Sequence, residues 1–262
     1  MTHIPLWIAL RIAARLLLLQ ARWDPARMQG IGLAYALEPW LAVCWAQEPA
    51  ALRAARRRHL EFFNTHPIAA WLLTGIICQY EAAAAAAQGA EREAVIEKII
   101  RLKTRRGSSL AGLYDSFFWG GLRPASALAG LLTAQAIYWM DARHSLAPAV
   151  AAALIVYNIP ALAARWLGLT RGFSLGEKAI ADMTRLPIQS WIQTLRRAAA
   201  GGAIAAFALG VFVLGGDERT TAALTFTAGI VFSWRGVPPL TQLGYFSLAG
   251  MAVSVAGFLG LP

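Results

Sequence analysis

The sequence predicts an all-α, polytopic integral membrane protein, with broken or re-entrant helical hairpins, an N-terminal interfacial amphipathic helix and C-terminal transmembrane helices. Three observations predict it. The 262 residues are 58% hydrophobic and only 15% charged, too apolar for a soluble domain of that length. Long stretches carry no charge at all, among them 124–140, 198–216 and 240–261. The basic residues behind the net charge of +10 cluster at the ends of apolar runs, at 53–58, 101–106 and 165–197. That placement follows the positive-inside bias of cytoplasmic loops and argues against nucleic-acid binding.

Residues 4–19 are apolar but carry Arg11 and Arg15, four apart and so on one helical face. No small-residue cleavage site follows, which disfavours a signal peptide. A helix lying in the membrane interface is expected, with Trp7 and Trp23 at headgroup depth; a soluble helix packed on a partner is the alternative. Residues 28–47 are apolar but interrupted at Glu38-Pro39. A basic, solvated helical segment follows over Arg53–His59. In HLEFFNTHP, 59–67, the residue before Pro67 is pushed out of helical geometry, so Asn64, Thr65 and His66 are expected at a break. A long helix is expected from Ile68 into the alanine run at 82–87. Residues 91–106 read as a cytoplasmic amphipathic helix with a partial isoleucine stripe. Cys44 and Cys78 sit in apolar surroundings and read as two buried thiols, neither a disulfide nor a metal site.

The stretch LAGLYDSFFWGGLRP, 110–124, is the most informative. Paired glycines and a proline weaken or break helical geometry, and a carboxylate among Leu, Phe and Trp is costly unless paired. It reads as broken backbone presenting polar groups to something small, or as a buried Asp115–Arg123 pair that only fixes the fold. Asn158-Ile159-Pro160 is a third polar, proline-bearing interruption, within the charge-free residues 144–164. Residues 165–197 read as cytoplasmic, and 198–216, 220–234 and 240–261 as scaffold spans, the last with glycines suited to close helix packing. Short Gly/Pro-interrupted apolar segments occurring more than once point to a transporter's binding site, and intramembrane Asp and Arg are functional by default. The residues alone therefore reach a transporter or channel component. A membrane enzyme with Asp115 as general base is disfavoured, because no second carboxylate, metal cluster or nucleophile triad accompanies it.

Arg27-Met28-Gln29-Gly30, HLEFFNTHP, LAGLYDSFFWGGLRP and YNIPALAARWLGLTRGFSLGEK, 157–178, together resemble the IID membrane subunit of the mannose/fructose/sorbose family of the sugar phosphotransferase system (PTS). The resemblance runs in order from about residue 20 to about residue 180, and the C-terminal helices match only in character. It implies one IID-type membrane domain over 1–262: an N-terminal amphipathic region 1–58, a motif-bearing core 59–166, a cytoplasmic segment 167–197 and C-terminal helices 198–262. It implies the IID component of a phosphoenolpyruvate-dependent permease, which forms the sugar translocation unit with a IIC subunit, typically as a trimer of heterodimers. Soluble IIA and IIB proteins carry the phosphoryl group, so the chain itself is not catalytic. The implied setting is the bacterial cytoplasmic (inner) membrane, with a hexose substrate and no cofactor or metal. Carried over by motif, the substrate-binding residues are Glu61, Asn64, Thr65, His66, Asp115, Ser116, Trp119 and Arg123. His66, next to Pro67 among aromatics, reads as a hydrogen-bonding group and not as a phosphohistidine. The chain departs from the family pattern at Ser108-Ser109, where Gly-Pro is usual, at Tyr114, where Gly is usual, and in the basic run Arg101, Lys103, Arg105 and Arg106. Tyr114 and the missing Gly-Pro motivate the alternative of a transport-inactive IID-like regulator or scaffold.

Overall fold

A computed structural model describes residues 4–139 and 147–213. Among them every regular element is helical. The helices are α1 (Leu6–Leu16), α2 (Gly30–Cys44), α3 (Pro49–Leu60), α4 (Ala69–Ala86), α5 (Gly89–Arg101), α6 (Gly107–Tyr114), α7 (Arg123–Trp139), α8 (Ala147–Leu175), α9 (Lys178–Thr184) and α10 (Ile188–Val213). Two π-helical segments, Leu102–Arg106 and Asp115–Leu122, join α5 to α6 and α6 to α7. The chain divides into two compact units at Ala200/Gly201, and the elements discussed below belong to the first. The expected spans at 220–234 and 240–261 lie outside the described residues.

Four interruptions are expected from the sequence, and one of them leaves helical geometry. At 61–68 the chain does so, because Pro67 forbids helix at His66; Glu61 opens the break with extended backbone, ψ 170°. At 110–124 the expected broken backbone is instead a wider helix. The π segment keeps backbone hydrogen bonds within the helix while the ladder changes register, and Pro124 falls in the first turn of α7, just after that change. Helix α8 continues through Pro160 and across residues 166 and 167. Helix α2 continues through Pro39, whose ring removes the N–H that would bond to the carbonyl of Tyr35. The Arg15 guanidinium donates to that carbonyl at 2.9 Å and lies 4.5 Å above the Tyr35 ring. Arg15 thus turns inward to α2, while Arg11 stays exposed over Trp7.

The core is built on α4. Its residues Leu73, Ile76, Ile77 and Cys78 are fully buried, together with Leu33, Leu37, Trp40 and Leu41 of α2 and Ile8, Ile12 and Leu16 of α1. The Trp40 indole donates to the Cys78 carbonyl at 2.7 Å and meets the Phe173 ring edge-on. Helix α8 lies close along α4 because both are notched. A methyl added at Gly172 would fall 2.4 Å from the Leu72 carbonyl oxygen, and one at Gly75 would fall 2.2 Å from that of Leu169. Gly168 and Gly172, four apart, form the small-residue seam that lets membrane helices approach. Among the described residues α8 is the one helix long and apolar enough to cross a membrane. It leaves Val150, Leu154, Ile155, Ile159 and Leu162 exposed. Helix α1 buries one face and exposes Leu6, Trp7 and Leu10. Cys44 and Cys78 are free thiols.

Where α3 meets α4, the Glu81 carboxylate is fully buried and meets four donors: Trp45 Nε1 at 2.8 Å, Arg58 Nε at 2.8 Å, Arg58 Nη2 at 2.7 Å and His59 Nε2 at 2.9 Å. Burial of this kind is tolerable only because the remaining lone pairs are used. Lys103 reaches back from the first π segment to donate to the Arg58 carbonyl at 2.5 Å. These bonds anchor the C-terminal end of α3, from which the break at 61–68 departs.

Candidate functional site

The break and the second π segment face each other. Residues 61–66 lie outside any helix, Pro67 and Ile68 turn into α4, and the backbone of the break is held by the residues before α2. Gln29 donates through Nε2 to the Thr65 carbonyl at 2.7 Å and accepts the Thr65 N–H through Oε1 at 3.1 Å. The Gln29 N–H donates to the Phe63 carbonyl at 2.8 Å, and the Phe63 N–H to that of Arg27 at 3.2 Å. Met28 adopts a positive φ of 52° to present this edge. Gly30 lets the two segments close: a methyl there would fall against the Glu61 carbonyl oxygen. On the other side the Thr65 hydroxyl donates to the Gly107 carbonyl at 2.8 Å, which ties the break to the start of α6.

This anchoring delivers His66 into the wall formed by α6 and the π segment. The ring is buried, stacks on Phe118 with centroids 5.7 Å apart, and packs against Tyr114 at 5.8 Å. The Trp119 indole N–H donates to Nε2 at 2.7 Å, and the Ile68 amide to Nδ1 at 3.1 Å. Both of these groups can only donate, while a neutral imidazole has one acceptor nitrogen. The ring therefore satisfies one of them at a time. When Nδ1 accepts from Ile68, Nε2 carries the proton and faces Asp115 Oδ1 across 4.0 Å. That gap is too long for a direct hydrogen bond, and a hydroxyl oxygen seated beside it reaches both ends at about 2.8 Å.

Of the eight residues expected at the site, the structure brings His66, Asp115 and Trp119 together. Asp115 has 61% of its side chain exposed, and Trp119 is also exposed. The Arg123 guanidinium lies 5.0 Å from the Trp119 ring centre, a cation–π arrangement that extends the group outward. The buried Asp115–Arg123 pair is corrected: both residues are exposed, and no ion pair joins them among the described residues. Thr65 lies next to the group, but its polar atoms serve Gln29 and Gly107. Glu61 and Asn64 are exposed along the break and Ser116 is half-buried; none of their side chains bonds to the group among the described residues. Tyr114 does not crowd Asp115. It turns into the core, and its hydroxyl donates to Met183 Sδ at 3.4 Å.

Sequence reasoning missed Gln29 as the residue that sets the break, although it lay within the Arg27–Gly30 motif. It also missed Phe118 as the ring beneath His66, because an aromatic in an apolar run gives no sign of which way it points. Chemically the group offers one charged acceptor, one imidazole donor and an exposed indole face. That is the equipment for a polyhydroxyl ligand with an apolar face. Among the described residues no cluster suited to a metal ion occurs.

The family model for the mannose/fructose/sorbose family IID component of the PTS system matches residues 9–237. The mannose-specific EIID component of Escherichia coli K12 is 32% identical over 166 residues, 63% of this chain and 54% of that protein. The sorbose-specific EIID component of Klebsiella pneumoniae is 29% identical over 196 residues, covering 75% and 63%. The fructose permease IID component of Bacillus subtilis is 28% identical over 193 residues, covering 72% and 60%. The matches thus span little more than half the length of these curated relatives. Among solved structures, a chain of the mannose transporter ManYZ in complex with microcin E492 aligns with a TM-score of 0.58 at 22% identity, over 98% of both chains. A second, described as a membrane protein, aligns at 0.66 and 23% over 97% of both. They share the fold.

Proposed function

The chain belongs to the mannose/fructose/sorbose family of PTS IID components, and from that premise we propose that it is the IID subunit of a phosphoenolpyruvate-dependent hexose permease. In this reading it sits as a multi-pass protein in the bacterial inner membrane, with α1 along the interface and the basic clusters facing the cytoplasm. It pairs with a IIC subunit in a trimer of heterodimers, while IIA and IIB deliver the phosphoryl group. The observation that carries the reading is the convergence of His66, Asp115 and Trp119 from two separate motifs onto one exposed, aromatic-walled spot. Once the Trp119 indole N–H releases Nε2, His66 and Asp115 bridge one sugar hydroxyl, and the freed indole covers the apolar face of the ring. Arg123 orients the indole, and Glu61, Asn64 and Ser116 line the approach. Thr65, held by Gln29 and Gly107, sets the position of His66.

The test is reconstitution in a host that lacks permeases of this family. Membranes containing this chain with its IIC subunit, supplied with the soluble phosphocarriers and phosphoenolpyruvate, phosphorylate labelled hexose. Membranes containing IIC alone do not. Equal phosphorylation with and without this chain contradicts the proposal.

A further inference from the structure

A concave site shares no lining residue with the sugar group. A cavity of about 660 Å³ is lined by Tyr80 of α4, by Lys98, Arg101, Leu102, Arg105 and Arg106 of α5 and the first π segment, and by Glu177. Four cations face one carboxylate, and that carboxylate is already engaged. Glu177 accepts the Tyr80 hydroxyl at 2.8 Å and lies 3.6 Å from Arg106 Nη2. Arg101 pairs with Glu97 at 3.3 Å. Lys98 and Arg105 have no ion-pair partner among the described residues. Cations gathered at this density repel one another, and an anion that joins them relieves that repulsion. Guanidinium groups match the oxygens of a phosphate in paired hydrogen bonds, with an ammonium as an added point charge.

The position narrows the chemistry. Glu177 follows the end of α8, the apolar helix long enough to span a bilayer. Basic pockets on the cytoplasmic side of such helices bind anionic headgroups. We propose that this cavity is a phosphate-binding site, engaged through Lys98, Arg105 and Arg106. The phosphate comes either from an anionic phospholipid headgroup or from a small soluble phosphoryl compound.

The full chain, purified with the subunits that accompany it, is placed in phosphatidylcholine nanodiscs. Its unfolding midpoint is read by tryptophan fluorescence in three states: as prepared, with inorganic phosphate at constant ionic strength, and with phosphatidylglycerol in the disc. At least one probe raises the midpoint of the native protein. The rise is lost in the Lys98→Gln/Arg105→Gln variant and kept in Arg53→Gln/Arg57→Gln, which removes equal charge elsewhere. A rise with phosphatidylglycerol alone assigns a lipid headgroup, and a rise with inorganic phosphate assigns a soluble source. No rise with either probe, or an equal rise in the Lys98/Arg105 variant, overturns the proposal.

Discussion

His66 is held by rings and donors that do not all fit one protonation state, and that competition is testable. Replacing Trp119 with Phe removes the indole N–H and keeps the flat face. Hexose uptake by Trp119→Phe should stay within about twofold of native, whereas Trp119→Ala, losing stacking worth roughly 1 kcal/mol or more, should fall by about tenfold. Equal loss in both would place the indole N–H, not its face, at the centre of binding. Gln29 makes a different case, because it touches no ligand in this account. Gln29→Ala leaves the Thr65 N–H and carbonyl without their partner, at a cost of about 2–3 kcal/mol. A lower melting midpoint accompanied by weakened uptake is expected, and an unchanged midpoint would show that the break is held some other way.

Lys103 supplies a pH dependence at the same scale. Burial lowers its pKa from the ordinary 10.5 to about 8; the nearby Glu61 carboxylate raises it, and the Arg58 cation lowers it further. The unfolded chain therefore holds the Lys103 proton through the range between those two values, and the folded chain releases it. Stability rises as pH increases from about 8 to about 10.5 and is lost again as pH falls through the folded value. The Lys103→Met protein should lack that rise in thermal midpoints measured across the same range. Parallel curves for the two proteins would contradict it.

Elements were legible in the sequence where one residue forces the backbone, and illegible where a partner rescues it. Pro67 breaks the chain because nothing replaces helical geometry at His66. Pro39 looks equivalent in sequence but breaks nothing, since Arg15, twenty-four residues earlier, supplies a donor to the orphaned Tyr35 carbonyl. Glycine and proline in 110–124 suggested a break for sound reasons, but a register change to π geometry keeps the backbone bonded. The same blindness hid the α4–α8 seam: Gly168 and Gly172 were visible, but not what they would meet. The Arg15–Pro39 relation predicts a rescue. Arg15→Met should destabilise the protein by about 1–2 kcal/mol. Pro39→Ala should recover most of that, because alanine at this position brings its own N–H to the Tyr35 carbonyl. Additive effects in the double variant, measured by chemical or thermal unfolding, would show that the two residues are unrelated. At the seam, Gly172→Leu should prevent accumulation of folded protein, since even a methyl meets the Leu72 carbonyl oxygen.

For the whole molecule, the sequence conveyed the class and the family and located the two motifs. It did not convey which of the eight expected residues touch one another, His66, Asp115, Trp119 and Arg123, because side-chain direction depends on packing that spacing does not encode. The exposed apolar row on α8, Val150, Leu154, Ile155, Ile159 and Leu162, suits a surface covered by lipid or by the proposed partner subunit. Co-production with the proposed IIC subunit should therefore turn an aggregating chain into a monodisperse complex on size-exclusion chromatography. A stable, monodisperse preparation of the chain alone would count against an obligate partner. If Asp115 and His66 together hold a sugar hydroxyl, Asp115→Asn removes one half of that grip. Asp115 is exposed and unpaired with Arg123, so the substitution should leave the quantity of assembled complex unchanged. Labelled hexose uptake per assembled complex should fall by about tenfold or more, reflecting loss of a charged hydrogen-bond acceptor. Full uptake by a normally assembled Asp115→Asn complex would remove this group from the sugar path.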